Sequence, residues 1–201
     1  VLEDGSPMTI SYSARGSMCA RSGMAATGYD RLGEEQKKEF DAFYENYWHA
    51  IASWYAAVTE GVTGKEIFEI VHRYVGNKKY GVALNPGHCI GMDEWSNSPV
   101  SGQSEMKLYS GLHFQCDIVA CMTEPVMAAI CEDTIVIADE HLREALRSEY
   151  PEVYDRVVRR QEFMRKKLGI PVHEDVLPMS GNNGVMFPFL LDRSEIFALE
   201  K

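Results

Sequence analysis

No stretch of eighteen or more apolar residues occurs in this chain, so no segment of it is built to span a membrane as a helix. Positive charge is also scarce. Twenty Lys and Arg face thirty Asp and Glu, a net charge of −10, and a polyphosphate would be repelled, which argues against nucleic acid as a partner. No CxxC pair is present. The five cysteines, Cys19, Cys89, Cys116, Cys121 and Cys131, are odd in number and scattered, which predicts buried thiols in a reducing, cytoplasmic compartment rather than a disulfide framework or a zinc ribbon. The first residue is Val1 rather than Met, so the chain is read as a fragment or processed form of a longer parent. There is no internal repeat, linker or low-complexity run. One further absence matters most: no Asp or Glu occurs between Ser6 and Tyr29.

What is present suffices for a single domain, since 201 residues at 45% hydrophobic content can bury one substantial core. Residues 8–26 read as two strands around a turn at "ARGS". Phe40, Phe43, Tyr44, Tyr47, Trp48, Ile51, Trp54, Tyr55 and Val58 recur at helical spacing, which predicts one core-facing stripe rather than a cofactor cleft. A second helix opens at "GVTGKE", where Thr63 and Glu66 fit a capping box. Strands are expected at "GVAL", at "GLHFQCDIVACM" and at "VMAAICEDTIVIAD", the last two joined by a turn at Thr123, Glu124 and Pro125. Beyond Asp139 two helices follow, broken at Pro151 and ending at Gly169. The basic residues Arg159, Arg160, Arg165, Lys166 and Lys167 read as a solvated helix end that offsets the macrodipole. The turn-rich, apolar tail "LPMSGNNGVMFPFLL" is expected to dock on the body.

Three positions point to chemistry: His88 in the glycine-flanked "PGHCIG", Asp117 in "FQCDIV" and Glu132 in "CEDT". Asp117 and Glu132 lie on consecutive strands whose antiparallel pairing can set both carboxylates on one face. Bare neighbouring carboxylates repel, and a divalent cation or a histidine resolves the conflict. One His and two carboxylates suit Mn, Fe, Co or Zn.

In order and in local motif, the hairpin, the aromatic helix, "GVTGKE", "GHxIG", "GLxFQxD" and "EDTIVIAD" resemble the M24 peptidase family, over about residues 5–139. The family includes Xaa-Pro aminopeptidases, prolidases, methionine aminopeptidases and creatinase. The resemblance implies an α+β pita-bread fold, an antiparallel curved sheet with helices on its outer face, with residues 140–201 as a C-terminal extension. It implies that His88 matches the family's histidine ligand, that Glu132 matches the final glutamate, and that Asp117 stands one methylene short in place of another glutamate. It also implies that Ser11 and Met18 occupy the positions of the two hairpin aspartates, so both are degenerate ligand positions. The family's substrate-binding histidine corresponds to Trp95, preceded by Asp93 and Glu94. Asp93 and Trp95 are then candidates for substrate contact, and His88 and Glu94 for acid/base catalysis.

Two-metal catalysis needs the bridging ligands that the hairpin lacks. The resemblance therefore implies an Xaa-Pro aminopeptidase or prolidase-like hydrolase of short peptides or other small molecules, working with one divalent metal or an altered site, as a homodimer. Two alternatives stay open: metal-independent hydrolysis, as in creatinase, with His88 as acid/base, and a catalytically inactive binding module such as those of histone chaperones.

Overall fold

The computed structural model of the chain describes residues 2–14, 17–82 and 84–200. The first hairpin is β1 (Ser6–Ala14) and β2 (Ser17–Ala25); two residues of its expected turn, Arg15 and Gly16, lie outside the described residues. A helical turn at Tyr29–Arg31 leads into the long helix α1 (Glu34–Ala57), followed by α2 (Gly64–Val75). The strands β3 (His88–Cys89), β4 (His113–Cys116), β5 (Val119–Thr123) and β6 (Val126–Ile137) come next. Helices α3 (Glu140–Glu149) and α4 (Pro151–Lys167) and the short β7 (Val176–Pro178) complete the order.

The pairings between the named strands are antiparallel, and β6 is the hub. The sheet runs β1-β2-β6-β4-β3, with β5 and β7 also on β6. At 12 residues β6 is long enough to take β5 and then β4 along one edge, and β2 and then β7 along the other.

Helix α1 lies against this sheet through the predicted stripe. All nine apolar positions are buried, with Tyr47, Ile51, Trp54, Tyr55 and Val58 fully so. Of the stripe residues with a polar tip, Tyr44, Tyr47 and Trp54 reach backbone. Tyr44 donates to the Ala128 carbonyl and Trp54 Nε1 to the Pro86 carbonyl. Tyr47 does more: its hydroxyl donates to Ile118 O at 2.8 Å and accepts from the Cys131 N–H at 2.6 Å. Ile118 and Cys131 face each other in the register shared by β4, β5 and β6. The tyrosine hydroxyl therefore replaces one rung of the ladder. This is why the expected single strand over 111–122 is two strands, interrupted at Asp117 and Ile118.

The second helix carries the predicted cap. Glu66 N–H bonds Thr63 Oγ1 and Glu66 Oε2 accepts from Thr63 N–H. His72 on this helix is half-buried and bonds its own helix at Phe68 O. By contrast, the described residues of "GVAL" form no strand. Gly81 has φ +47°, a left-handed turn that breaks extended backbone, and Ala83 lies outside the described residues. The basic cluster near the end of α4 is also not wholly solvated. Arg160 is buried, bonds Asn183 O and stands 4.6 Å over the Phe163 ring. Nor are all the thiols buried: Cys116 and Cys131 are, Cys19 and Cys89 are half-buried, and Cys121 is exposed on the outward face of β5. None of the five is in a disulfide. Among the described residues no helix is long and apolar enough to cross a membrane.

The tail docks as expected. Phe189 stacks on Phe40, and Phe197 on Tyr44 and Trp48. Behind the sheet, Arg21 forms a two-pronged pair with Asp133 at 2.9 Å and donates to Val185 O and Asn182 O. Asp133 accepts in turn from the Gly184 N–H. The pair is buried, with Asp133 at 0% and Arg21 at 11% side-chain exposure.

Two stability outcomes follow. Tyr47→Phe strands a buried N–H and a buried C=O and should cost about 1–3 kcal/mol in urea denaturation. Arg21→Ala leaves Asp133 charged and unpaired and should cost about 3–5 kcal/mol. A change below ~0.5 kcal/mol in either variant would contradict the role given to that residue.

Candidate metal centre

His88 is placed by its neighbours in the chain. Gly87 has φ +134°, and a Cβ there would stand 2.8 Å from the Phe114 ring and 3.0 Å from Gln115 O. Glycine alone lets the loop approach β4 this closely. Trp54 holds Pro86 O and Ser98 Oγ holds Gly87 O, so two bonds fix the backbone just before the imidazole. The side chain is wholly buried. His88 Nδ1 donates to Cys89 O at 3.1 Å, and since a carbonyl only accepts, the proton on that side is assigned. Nε2 is left facing the site, buried and without a hydrogen-bond partner among the described residues.

The register brings the carboxylates to it. Cys116 pairs with Asp133 and Val119 with Ile130, which sets Asp117 directly opposite Glu132 at the interrupted rung. Both are buried at 5% exposure. Asp117 Oδ2 lies 3.5 Å from His88 Nε2 and Glu132 Oε1 lies 3.8 Å from it. One ligand atom from each of the three falls within 4.8 Å of the others. Ligands at about 2.0–2.2 Å from a tetrahedral cation are separated by about 3.3–3.6 Å. The three groups therefore fit a divalent cation in spacing, in donor chemistry and in leaving Nε2 otherwise orphaned.

Two further predicted residues join them. Glu94 Oε1 lies 3.3 Å from His88 Nε2, on a side chain that is 42% exposed at the rim. Trp95 lies over the imidazole, with ring centroids 4.0 Å apart and an interplanar angle of 26°. Asp93 is exposed in the same loop, where its carbonyl accepts from the Gly91 N–H.

The hairpin wall differs. The β2 residue that faces Glu132 is Ala20, and Ser11 faces Ala20 one strand further out. Ser11 is exposed. Met18 is half-buried, and its backbone carbonyl reaches the site, accepting from Gln115 Nε2 and Thr134 Oγ1. Neither position brings an anion.

The electrostatics follow from this lopsided wall. Burial raises the Glu132 carboxyl above the usual range, and although His88 counteracts this, Asp117 and Glu94 add to it. For His88 burial opposes ionisation, yet Asp117, Glu132 and the Cys89 carbonyl outweigh it and push the imidazole up to about 9. A cation would therefore compete with a proton for the Nε2 atom.

Three contributors were not legible as such in the sequence: Tyr47, Gln115 and the Arg21–Asp133 pair behind the site. Gln115 had a signal, because it lies two residues from Asp117 and so on the same face. Tyr47 and Arg21 had none, because their partners are backbone atoms or a residue more than a hundred positions away.

Residues 1–139 match the family model of metallopeptidase family M24. No curated protein matches the chain. Among solved structures, the chain is similar to a prolidase from Pyrococcus horikoshii OT3, with TM-score 0.53 and 21% identity over 68% of this chain and 38% of that one. A Xaa-Pro dipeptidase from Bacillus anthracis aligns with TM-score 0.52 and 20% identity over 67% and 37%. A dipeptidase from Pyrococcus horikoshii OT3 aligns with TM-score 0.50 and 23% identity over 66% and 36%. The chain spans a little over a third of the length of these structures, and at these identities the likeness shows the fold. The architecture is the pita-bread fold, and the chain belongs to metallopeptidase family M24.

Proposed function

We propose that this chain is the site-bearing part of a hydrolase of short peptides that works with a single divalent cation held by His88, Asp117 and Glu132. One observation carries the reading: a buried imidazole nitrogen with no hydrogen-bond partner among the described residues, set among carboxylate oxygens at 3.3 to 3.8 Å. Mn, Co, Zn and Fe all suit one imidazole and two carboxylates. The dipeptidase and prolidase names of the similar structures support a dipeptide-sized substrate.

When bound, the cation would supply Lewis-acid polarisation of a carbonyl and a water of lowered pKa. The rest of the work falls to this chain's own side chains. Glu94, at the rim and half-exposed, is placed to accept a proton from a water attacking beside His88. Trp95, stacked on the imidazole, fixes the ring plane and offers an apolar wall to the substrate. Asp93, exposed one residue before Glu94, suits the substrate's free amino group. The protein is read as a cytoplasmic homodimer.

A second reading has its own support. The push on His88 up to about 9 describes an imidazolium held by carboxylates, which could hydrolyse a small substrate without metal. A chelator separates the two. Chelator-stripped protein titrated with MnCl2 should take up one cation per chain. At a hundredfold excess over Kd, binding should stabilise the fold by roughly 2.7 kcal/mol, and His88→Ala should lose both uptake and stabilisation. Activity that survives the chelator but disappears in His88→Ala would favour the metal-free route. A chain that neither binds cation nor turns over any Xaa-Pro dipeptide would be a binding module. Glu94→Gln should lower kcat by about 10²- to 10⁴-fold while Mn2+ uptake stays at one per chain, and unchanged kcat would remove Glu94 as the base.

A further inference from the structure

Gln115 stands between the wall that carries the acids and the wall that lacks them. It is wholly buried and faces His88 on one side and Thr134 on the other. Its Nε2 donates to Glu132 Oε1 at 2.8 Å and to Met18 O at 3.2 Å. Both amide hydrogens are then used, and the orientation is fixed, because the reversed amide would set its oxygen against a carboxylate and a carbonyl. The consequence is that Gln115 Oε1 is buried with no donor among the described residues.

Three buried side-chain polar atoms lack a partner among the described residues: Trp48 Nε1, His88 Nε2 and Gln115 Oε1. The last two belong to residues that face each other across β3 and β4. A buried polar atom without a partner costs about 1–3 kcal/mol, so two of them on facing residues mark a place built for something. Their chemistries differ. Nε2 offers a lone pair to a cation, and Oε1 accepts from an O–H. A hydrated divalent cation satisfies both at once. Gln115 also donates to Glu132 Oε1, the oxygen 3.8 Å from His88 Nε2, and so holds the atom that would complete the ligand set.

We infer that Gln115 is a positioning residue for a hydrated divalent cation: its amide nitrogen braces Glu132 Oε1 against the Met18 backbone, and its amide oxygen accepts from the cation's water. The inference rests on the cation-binding reading above. It gives Gln115 the task of holding Glu132 without adding charge, on the side of the site where the hairpin supplies no carboxylate.

The test is Mn2+ binding to chelator-stripped protein, followed by calorimetry and by water-proton relaxation, with folding checked by circular dichroism. Gln115→Met keeps the length and removes both polar atoms. It should still bind one Mn2+ but about 10- to 100-fold more weakly, with faster exchange of the bound water. Gln115→Asn cannot span from β4 to Glu132 and should weaken binding likewise, which keeps the test open if the Met variant does not fold. Affinities within twofold of the wild type in the folded variants would overturn the role of Gln115 and leave the cation reading standing. A wild-type protein that binds no Mn2+, Co2+ or Zn2+ would overturn both.

Discussion

The hydroxyl of Tyr47 occupies one rung of the β-ladder, and the site depends on that substitution. A regular ladder across β4, β5 and β6 would bond Ile118 and Cys131 directly and draw the strands to ordinary spacing. Instead an O–H sits between them, accepting from one backbone group and donating to the other. Burial keeps that hydroxyl protonated, its pKa raised well above the usual phenol value. The rung it replaces adjoins the facing pair Asp117 and Glu132. The helix that carries Tyr47 also carries Trp54, which holds the carbonyl two residues before His88. One buried helix face therefore fixes both the carboxylate pair and the approach of the imidazole. Rigidity of this kind suits a site, because ligand groups must be held by packing rather than by each other.

The dipeptide Glu132–Asp133 shows how the same charge has two fates on the two faces of a sheet. Asp133 points away from the site and meets the Arg21 guanidinium and the Gly184 N–H. Every oxygen there has a donor, and the pair closes the tail onto the sheet. Glu132 points into the site, where Gln115 is a neutral donor and His88 must serve three carboxylates. Its carboxyl is pushed up because compensation is incomplete. The fully bonded acid closes the tail onto the sheet, and the incompletely compensated one is the candidate ligand.

Much of this was legible in the sequence, for definite reasons. The stripe on α1 is strictly periodic, so its burial follows from helical geometry, and the Thr63–Glu66 cap is a local pattern. Asp117 and Glu132 could be brought together because the turn at residues 123–125 is short and fixes the register of the strands on either side. What escaped was non-local or dependent on a single backbone angle. "GVAL" has strand composition, but Gly81 takes a left-handed φ. Arg160 sits in a basic run that reads as solvated, yet its partner is the Asn183 carbonyl in the docked tail. Tyr47 read correctly as core, but periodicity does not say where a hydroxyl points. The acids missing from the hairpin were plain in the sequence, whereas the use of the Met18 carbonyl by Gln115 was not, because a backbone acceptor leaves no trace in residue identity.

The lopsided wall also constrains how many charges the site can hold. With neutral His88, the three buried candidate ligands bring two negative charges, which one divalent cation would balance. Two such cations would leave a net +2 in a buried pocket, with Glu94 at the rim offsetting at most one unit. In a medium of low polarisability an uncompensated charge is far more costly than a lost hydrogen bond. The hairpin answers with Ala20, an exposed Ser11 and a backbone carbonyl, none of which is an anion. Under the cation-binding reading proposed above, charge balance favours one cation over two before any question of ligand geometry arises, and it does so through residues on β1 and β2 that bring no anion.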